Sequence, residues 1–368
     1  MIYNLSMIFL KKLSFFVVCF SLCFTAAAQS PAADNSDAEK PANPVDFFII
    51  PILETVFSGE ITWRPDWPED MPPDSFSFLK ERAAPEIIEI SNAERNYIVK
   101  YDRKYGKGRL IEFPLFLPDG YLTVKVNYAV SGAVLDMTVS FYSKTKDINT
   151  EDVNTGQIDQ NDKNDKSFNN EKIWYIEFPG NFLPYSNSSP GGVFPPVSVK
   201  CGDTAYQVFL FESPSFLTET WYSSDGNLLV FCKAAVNNQN GIWNIHSLQI
   251  HDSLGLRFQD YFYDSFGNIT EIRRKDMVFK ALYRDRCPTY WQYADNAGYE
   301  MQWDTQMVLM RMKSNEIEYR YEYEKDSFGN WVKRHEIAIV IQSELLFSKP
   351  LYSRGIWNRR IVFAEKGR

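Results

Sequence analysis

The sequence predicts a mainly β protein of antiparallel hairpins arranged as a meander, with little helix. Three observations carry that expectation. Aromatic residues, which favour pleated half-buried surfaces, make up 16% of the 368 residues. The stretch Glu316–Glu324 alternates strictly. It sets Ile317, Tyr319, Tyr321 and Tyr323 on one face and Glu316, Glu318, Arg320, Glu322 and Glu324 on the other, the period of two of a strand. Turn chemistry also recurs: Asp264-Ser265-Phe266-Gly267-Asn268 returns as Asp326-Ser327-Phe328-Gly329-Asn330, with a weaker relative at Ser224-Asp225-Gly226-Asn227-Leu228.

The elements follow in chain order. Residues 1–28 have the three parts of a cleavable signal peptide: the basic pair Lys11-Lys12, an apolar run from Leu13 to Phe24, and small residues at Ala26 and Ala28 that place the cut before Gln29. Met7 is an alternative start. The apolar run is shorter than the roughly 20 residues a spanning helix needs, which argues against a retained anchor. Val18 and Leu22 precede Cys19 and Cys23, where a lipoprotein signal wants small residues. Residues 29–46 have almost nothing to bury and are expected to form a flexible tether.

An N-terminal β-rich domain is expected over 47–143. In it Thr55–Trp63 is expected as a strand, prolines 65, 68, 72 and 73 forbid regular structure, and a short helix is expected from Asp74 or Ser75 to Ala84. Strands are expected at Tyr97–Tyr101, Arg109–Phe113, Leu122–Tyr128 and Val134–Tyr142. Residues 144–172 are polar and acidic, too poor in apolar side chains to offset the entropy of ordering, and are expected to be a disordered loop or linker. Because such loops are uncommon inside domains, a second domain of β-hairpins is expected over 173–368. Propeller, sandwich and twisted meander all fit these strands.

The net charge is −8, and loss of Lys11 and Lys12 with the leader takes it to −10, which excludes a phosphate backbone as a natural partner. Beyond the leader, Cys201, Cys232 and Cys287 leave either one disulfide and one thiol, or three thiols, and match no zinc spacing. His246 and His251 stand five apart, a poor metal pair on strand or helix. No nucleophile elbow, phosphate loop or Cys-x-x-Cys is present, and no cofactor is indicated. Tyr290, Trp291, Tyr293, Tyr299 and Trp303 are candidate binding aromatics, with packing of a sheet as the competing role.

The two clear turn copies, built on Asp264, Gly267 and Asn268 and on Asp326, Gly329 and Asn330, each follow an aromatic strand. These segments resemble the YD-type (RHS-like) repeats of bacterial cell-surface and toxin-associated proteins, best at Tyr263-Asp264-Ser265-Phe266-Gly267-Asn268. In the second copy the tyrosine stands three positions before Asp326. The resemblance covers about residues 252–339. It implies an exported β scaffold and brings no catalytic residues. The function expected is therefore an exported envelope or secreted binding or scaffold protein, in the periplasm or at the cell surface, with an envelope protein or surface polysaccharide as partner. The alternative is a secreted carbohydrate-active enzyme using an unidentified carboxylate pair. An outer-membrane barrel is disfavoured, because the clearest strand carries charge on its outer face.

Overall fold

The computed structural model describes residues 45–363 with breaks, the longest being 77–84, 103–108, 144–171, 183–191 and 342–349. The expected leader, nearly all of the tether, the polar stretch up to Glu171 and the expected helix beyond Phe76 lie outside the described residues. Asn43–Arg368 form one compact unit.

Strands β1 (Pro85–Ser91), β2 (Asn96–Asp102), β3 (Arg109–Leu117), β4 (Gly120–Tyr128), β5 (Val134–Ser143) and β6 (Lys172–Phe182) each pair antiparallel with the next. The β5–β6 pairing, from Phe141↔Lys172 to Val134↔Phe182, carries one sheet across the polar stretch. Strand β7 (Gly192–Val193) and β8 (Val197–Cys201) lie in succession along β9 (Thr204–Ser213), and β8 also pairs with β6. The meander continues through β10 (Phe216–Ser223), β11 (Leu228–Gln239), β12 (Ile242–Asp252), β13 (Gly255–Tyr263), β14 (Ile269–Arg274) and β15 (Met277–Arg284). It ends with β16 (Cys287–Gln292), β17 (Tyr299–Trp303), β18 (Leu309–Lys313), β19 (Ile317–Lys325), β20 (Trp331–Val340) and β21 (Pro350–Phe363). β21 then pairs with β1, from Pro85↔Phe363 to Ser91↔Asn358. The meander therefore does not stay open. It is a closed 20-strand antiparallel barrel, with β7 as a short extra piece beside β9. Closure removes the sheet edges that would otherwise invite pairing with other chains.

Eight strands make a barrel that its own side chains can fill, whereas much larger barrels leave an open lumen. Here most of the alternate residues that point inward are apolar, with a few charged exceptions on β10, β20 and β21. Phe113, Val139, Trp174, Val208, Trp221, Ile272 and Trp357 are all buried. What they pack against is the chain itself. The described residues of the segment 45–76 touch β3, β6, β10, β12, β13, β14, β15, β16, β20 and β21, a set that spans the ring, so these residues lie in the interior.

That segment begins with a helix, α1 (Ile49–Ser58). The strand expected at Thr55–Trp63 is thus corrected: its first four residues end the helix, and 61–67 form no strand. Ile49, Ile52, Leu53 and Val56 follow the three-and-four spacing of a helical face and are buried. Pro51 sits in the first turn, where its missing N–H costs nothing, and Gly59 closes the end at φ 68°. Among the described residues no helix is long and apolar enough to cross a membrane.

Candidate functional site

Two features stand out from the barrel frame: the charged anchors that hold the internal segment, and the hairpin units that build the wall.

The anchors are carboxylates and arginines brought inside. Glu219 on β10 is fully buried. Its two oxygens accept from Ile49 N (2.8 Å) and Ile50 N (2.9 Å), the free donors at the start of α1, and from the Trp221 indole (2.6 Å). Burial pushes its pKa up to about 7, against the pull of those three donors. Glu54, on the same helix, accepts from Ile245 N at 3.0 Å and is raised to about 7 by burial as well. Further along, burial pushes the Asp66 carboxyl up, but Arg64 and Arg274 on either side hold it below its ordinary value. The Asp74 carboxylate accepts from Arg334 (3.5 Å) and its backbone carbonyl accepts from Arg359 (3.1 Å), and there burial wins and raises the carboxyl. The Trp291 indole donates to Pro65 O at 2.9 Å. These groups fix the register of the internal segment against the wall. Glu219 faces no solvent, so its raised pKa serves structure and gives it no route to act as an acid on a substrate.

The wall is built from a repeated unit that sequence reasoning found only in part. At Asp264–Asn268, Asp264 N donates to Asn268 O and Gly267 N to Asp264 O. The same pair of bonds recurs at Asp326–Asn330, Ser223–Asn227, Asp304–Val308 and Ala129–Ala133. In the two clear copies the Asp carboxylate accepts from the backbone N–H two and four residues on and from the Asn side chain. Gly267 and Gly329 both sit at φ 85°. The third copy begins at Ser223, one residue earlier than the turn expected from Ser224. The Asp304 copy escaped notice because Met307, at φ 59°, stands where glycine was expected.

The residue before the turn has a role of its own. Tyr263 OH donates to Ile245 O (2.8 Å), Tyr128 OH to Leu110 O (2.8 Å), Tyr323 OH to Leu309 O (2.5 Å), and the Trp303 indole to Pro288 O (2.6 Å). In each case an inward aromatic at the end of one strand locks onto a carbonyl near the start of the strand before it. Tyr323 does so although it stands three residues ahead of Asp326, with Glu324 and Lys325 between it and the turn. A β-rich repeat architecture of hairpins is therefore present, extending beyond 252–339 to β3–β5.

The expected binding aromatics are brought together, but on the inside. Trp291 is buried against Tyr293 (6.1 Å) and Tyr299 (5.8 Å), and Trp303 is packed on the core. Tyr290 alone of the five shares its level with the outward Leu282 and Glu300. Among the described residues Cys201, Cys232 and Cys287 are not joined to one another, and Cys232 and Cys287 are buried. Among the described residues, no three His, Cys, Asp or Glu side chains are placed to hold a metal.

No family model matches the chain, and no curated protein matches it. Solved structures align with it weakly. A porin-like protein from Bacteroides uniformis ATCC 8492 aligns over 76% of this chain and 98% of its own at 10% identity, with a TM-score of 0.29. The TcdB2-TccC3-Cdc42 structure aligns over 71% of this chain and 14% of its own, again at 10% identity, with a TM-score of 0.20. At scores this low neither alignment establishes a shared fold.

Proposed function

We propose that the protein is an exported envelope or secreted scaffold, built from YD-type hairpin units, that binds through the outside of a filled barrel and catalyses nothing. The observation that carries this reading is the polarity of the wall. A membrane-spanning barrel turns its apolar residues outward to lipid and its polar ones to the lumen. Here most large apolar residues face inward onto the described part of the segment 45–76, while Glu322, Glu324, Lys333 and Arg360 lie on the outside, and the apolar side chains that are exposed there, such as Tyr175, Phe209, Leu256 and Leu282, stand among polar ones. Such a wall suits water better than lipid, and among the described residues the segment packs into the interior core. The signal-like leader supplies export, and the turn that follows each locking tyrosine or tryptophan supplies the YD-type character.

The test is made on the chain lacking residues 1–28. It should purify without detergent and give no conductance steps in planar bilayers, and in the host it should fractionate with the periplasm, the envelope surface or the medium. A requirement for detergent, or stable conductance, would overturn the filled-scaffold reading. Recovery in the cytoplasm would overturn export.

A further inference from the structure

The outer wall has one arc with almost no charge. On β9 the outward residues are Gln207, Phe209 and Phe211, on β10 Phe216, Thr218 and Thr220, on β11 Phe231, Lys233 and Ala235, on β12 Ser247, Gln249 and His251, and on β13 Leu256, Phe258 and, at the edge of the arc, Asp260, so Lys233 and Asp260 are its charges. Pairing aligns them into rows. Phe209, Thr220, Phe231, His251 and Leu256 lie side by side across five strands, and Phe211, Thr218, Lys233, Gln249 and Phe258 form the next row. Phe209 is 37% exposed, Leu256 51% and Phe258 50%, large values for apolar side chains on a sheet. The lysine within the arc is held over the Phe216 ring, 4.7 Å from its centre.

We infer that this arc, β9 to β13, is a binding face for a neutral polysaccharide. The inference rests on the scaffold reading above and names its ligand class. Three properties lead to it. First, the chemistry is mixed at the scale of single residues: Thr220 and His251 separate Phe209, Phe231 and Leu256 along one row. A protein partner is better served by a contiguous apolar centre with a polar rim. A sugar ring offers both a C–H face for an aromatic ring and hydroxyls at its edge for Thr, Gln and His. Second, Phe209 and Phe231 stand two strands apart, about 10 Å, a separation that lets two rings engage successive residues of one extended glycan. Third, the charge balance selects against charged ligands. The chain carries −8 overall, yet these rows present only Lys233, so an uncharged polymer meets neither repulsion nor an unmatched carboxylate.

Native gels cast with dextran, laminarin or xylan, with polygalacturonate as the charged comparator, provide the test for the chain lacking residues 1–28. The expected result is retardation by at least one of the three neutral glycans and not by polygalacturonate. Phe209→Ala combined with Phe258→Ala should weaken it about 10- to 100-fold, since each lost aromatic contact is worth roughly tenfold. Glu322→Gln on the opposite side should leave it unchanged. Near-ultraviolet dichroism confirms that both variants stay folded. No retardation by any neutral glycan, or retardation that survives the double substitution, overturns the inference. So does a concentration-dependent dimer in size-exclusion chromatography that the double substitution dissolves, because the arc would then be a face between copies. These failures leave the filled-scaffold reading standing, which is judged separately by solubility and conductance.

Discussion

The barrel has two outer faces and one kind of inner face. From β17 round to β1 the outside carries Glu300, Arg311, Lys313, Arg320, Glu322, Glu324, Lys333, Arg360 and Glu89, several of them paired: Arg311 and Arg320 with Glu318, Lys333 with Glu324 (2.8 Å), Arg360 with Glu89 (3.7 Å). From β9 to β13 it carries mainly phenylalanine, threonine and glutamine in their place, with Lys233 and, at the edge, Asp260. Inside, both arcs are mainly aromatic and aliphatic: Trp221, Leu248 and Tyr261 line one, beside Glu219, and Tyr319, Tyr321 and Trp357 the other, beside Arg334 and Arg359, all buried. Folding constrains the inner residues of both arcs equally and the outer residues of both weakly. A difference confined to the outside is therefore not something the fold requires, and function is the place to look for its cause.

The largest effects should come from the shared interior and should not tell the arcs apart. Trp221→Ala and Trp357→Ala are each expected to cost about 3–5 kcal/mol in denaturant unfolding, the usual range for emptying a buried tryptophan site. Values differing by several kcal/mol would break the comparison, because one arc would then lean on the internal segment far more than the other.

Next in size is the anchor between wall and helix. Glu219→Ala strands Ile49 N, Ile50 N and the Trp221 indole, and should cost about 2–4 kcal/mol. The wild type should also respond to pH through this group. A folded pKa of about 7, raised above the ordinary 4.5, means stability is fully present below 4.5 and is lost as pH rises through 7. Asp66 has the opposite sign, contributing above its ordinary value and losing that only in stronger acid. Unfolding free energy is therefore expected to be higher at pH 5.5 than at pH 8.5, by no more than about 2 kcal/mol for each of Glu219 and Glu54. Glu54, raised to about 7 as well, acts in the same direction, so Glu219→Gln should shrink that difference and leave Glu54's share, and a wild type equally stable at both values would sink the assignment.

The turns give smaller effects of both signs. Gly267→Ala forces a side chain onto φ 85° and should cost about 1 kcal/mol, while Met307→Gly relieves φ 59° and should be neutral or slightly stabilising in the same thermal scan. These positions also mark what was legible beforehand. Asp264 and Asp326 announced their hairpins because Asp, Gly and Asn each leave a local trace in sequence. Asp304–Val308 has the same hydrogen bonds but spends a methionine on the left-handed position, so its trace is missing. Strand alternation foretold which side of β19 would be buried. It could not foretell that β21 would return to β1, since closure joins residues far apart in the chain. Nor did it expose Glu219, whose role depends on a helix more than 160 residues away. That helix was itself readable, from Ile49, Ile52, Leu53 and Val56 with Gly59 behind them, but the β-branched run around Thr55 and Val56 favoured a strand.

The smallest effects belong to the outer wall, and they sharpen the comparison most. Glu322→Gln on the charged arc and Thr220→Ser on the uncharged one should each move stability by less than about 0.5 kcal/mol. Neither residue shares in the interior, and an exposed charge on a sheet face gains little from its neighbours. If both hold to that limit, any property that separates the arcs must lie in what they touch, because neither outer face contributes enough to the fold for stability to explain its composition. A loss of 2 kcal/mol or more at Thr220 alone would mean instead that the uncharged rows pack as structure, and the distinction between a binding face and a folding face would fail at its first residue.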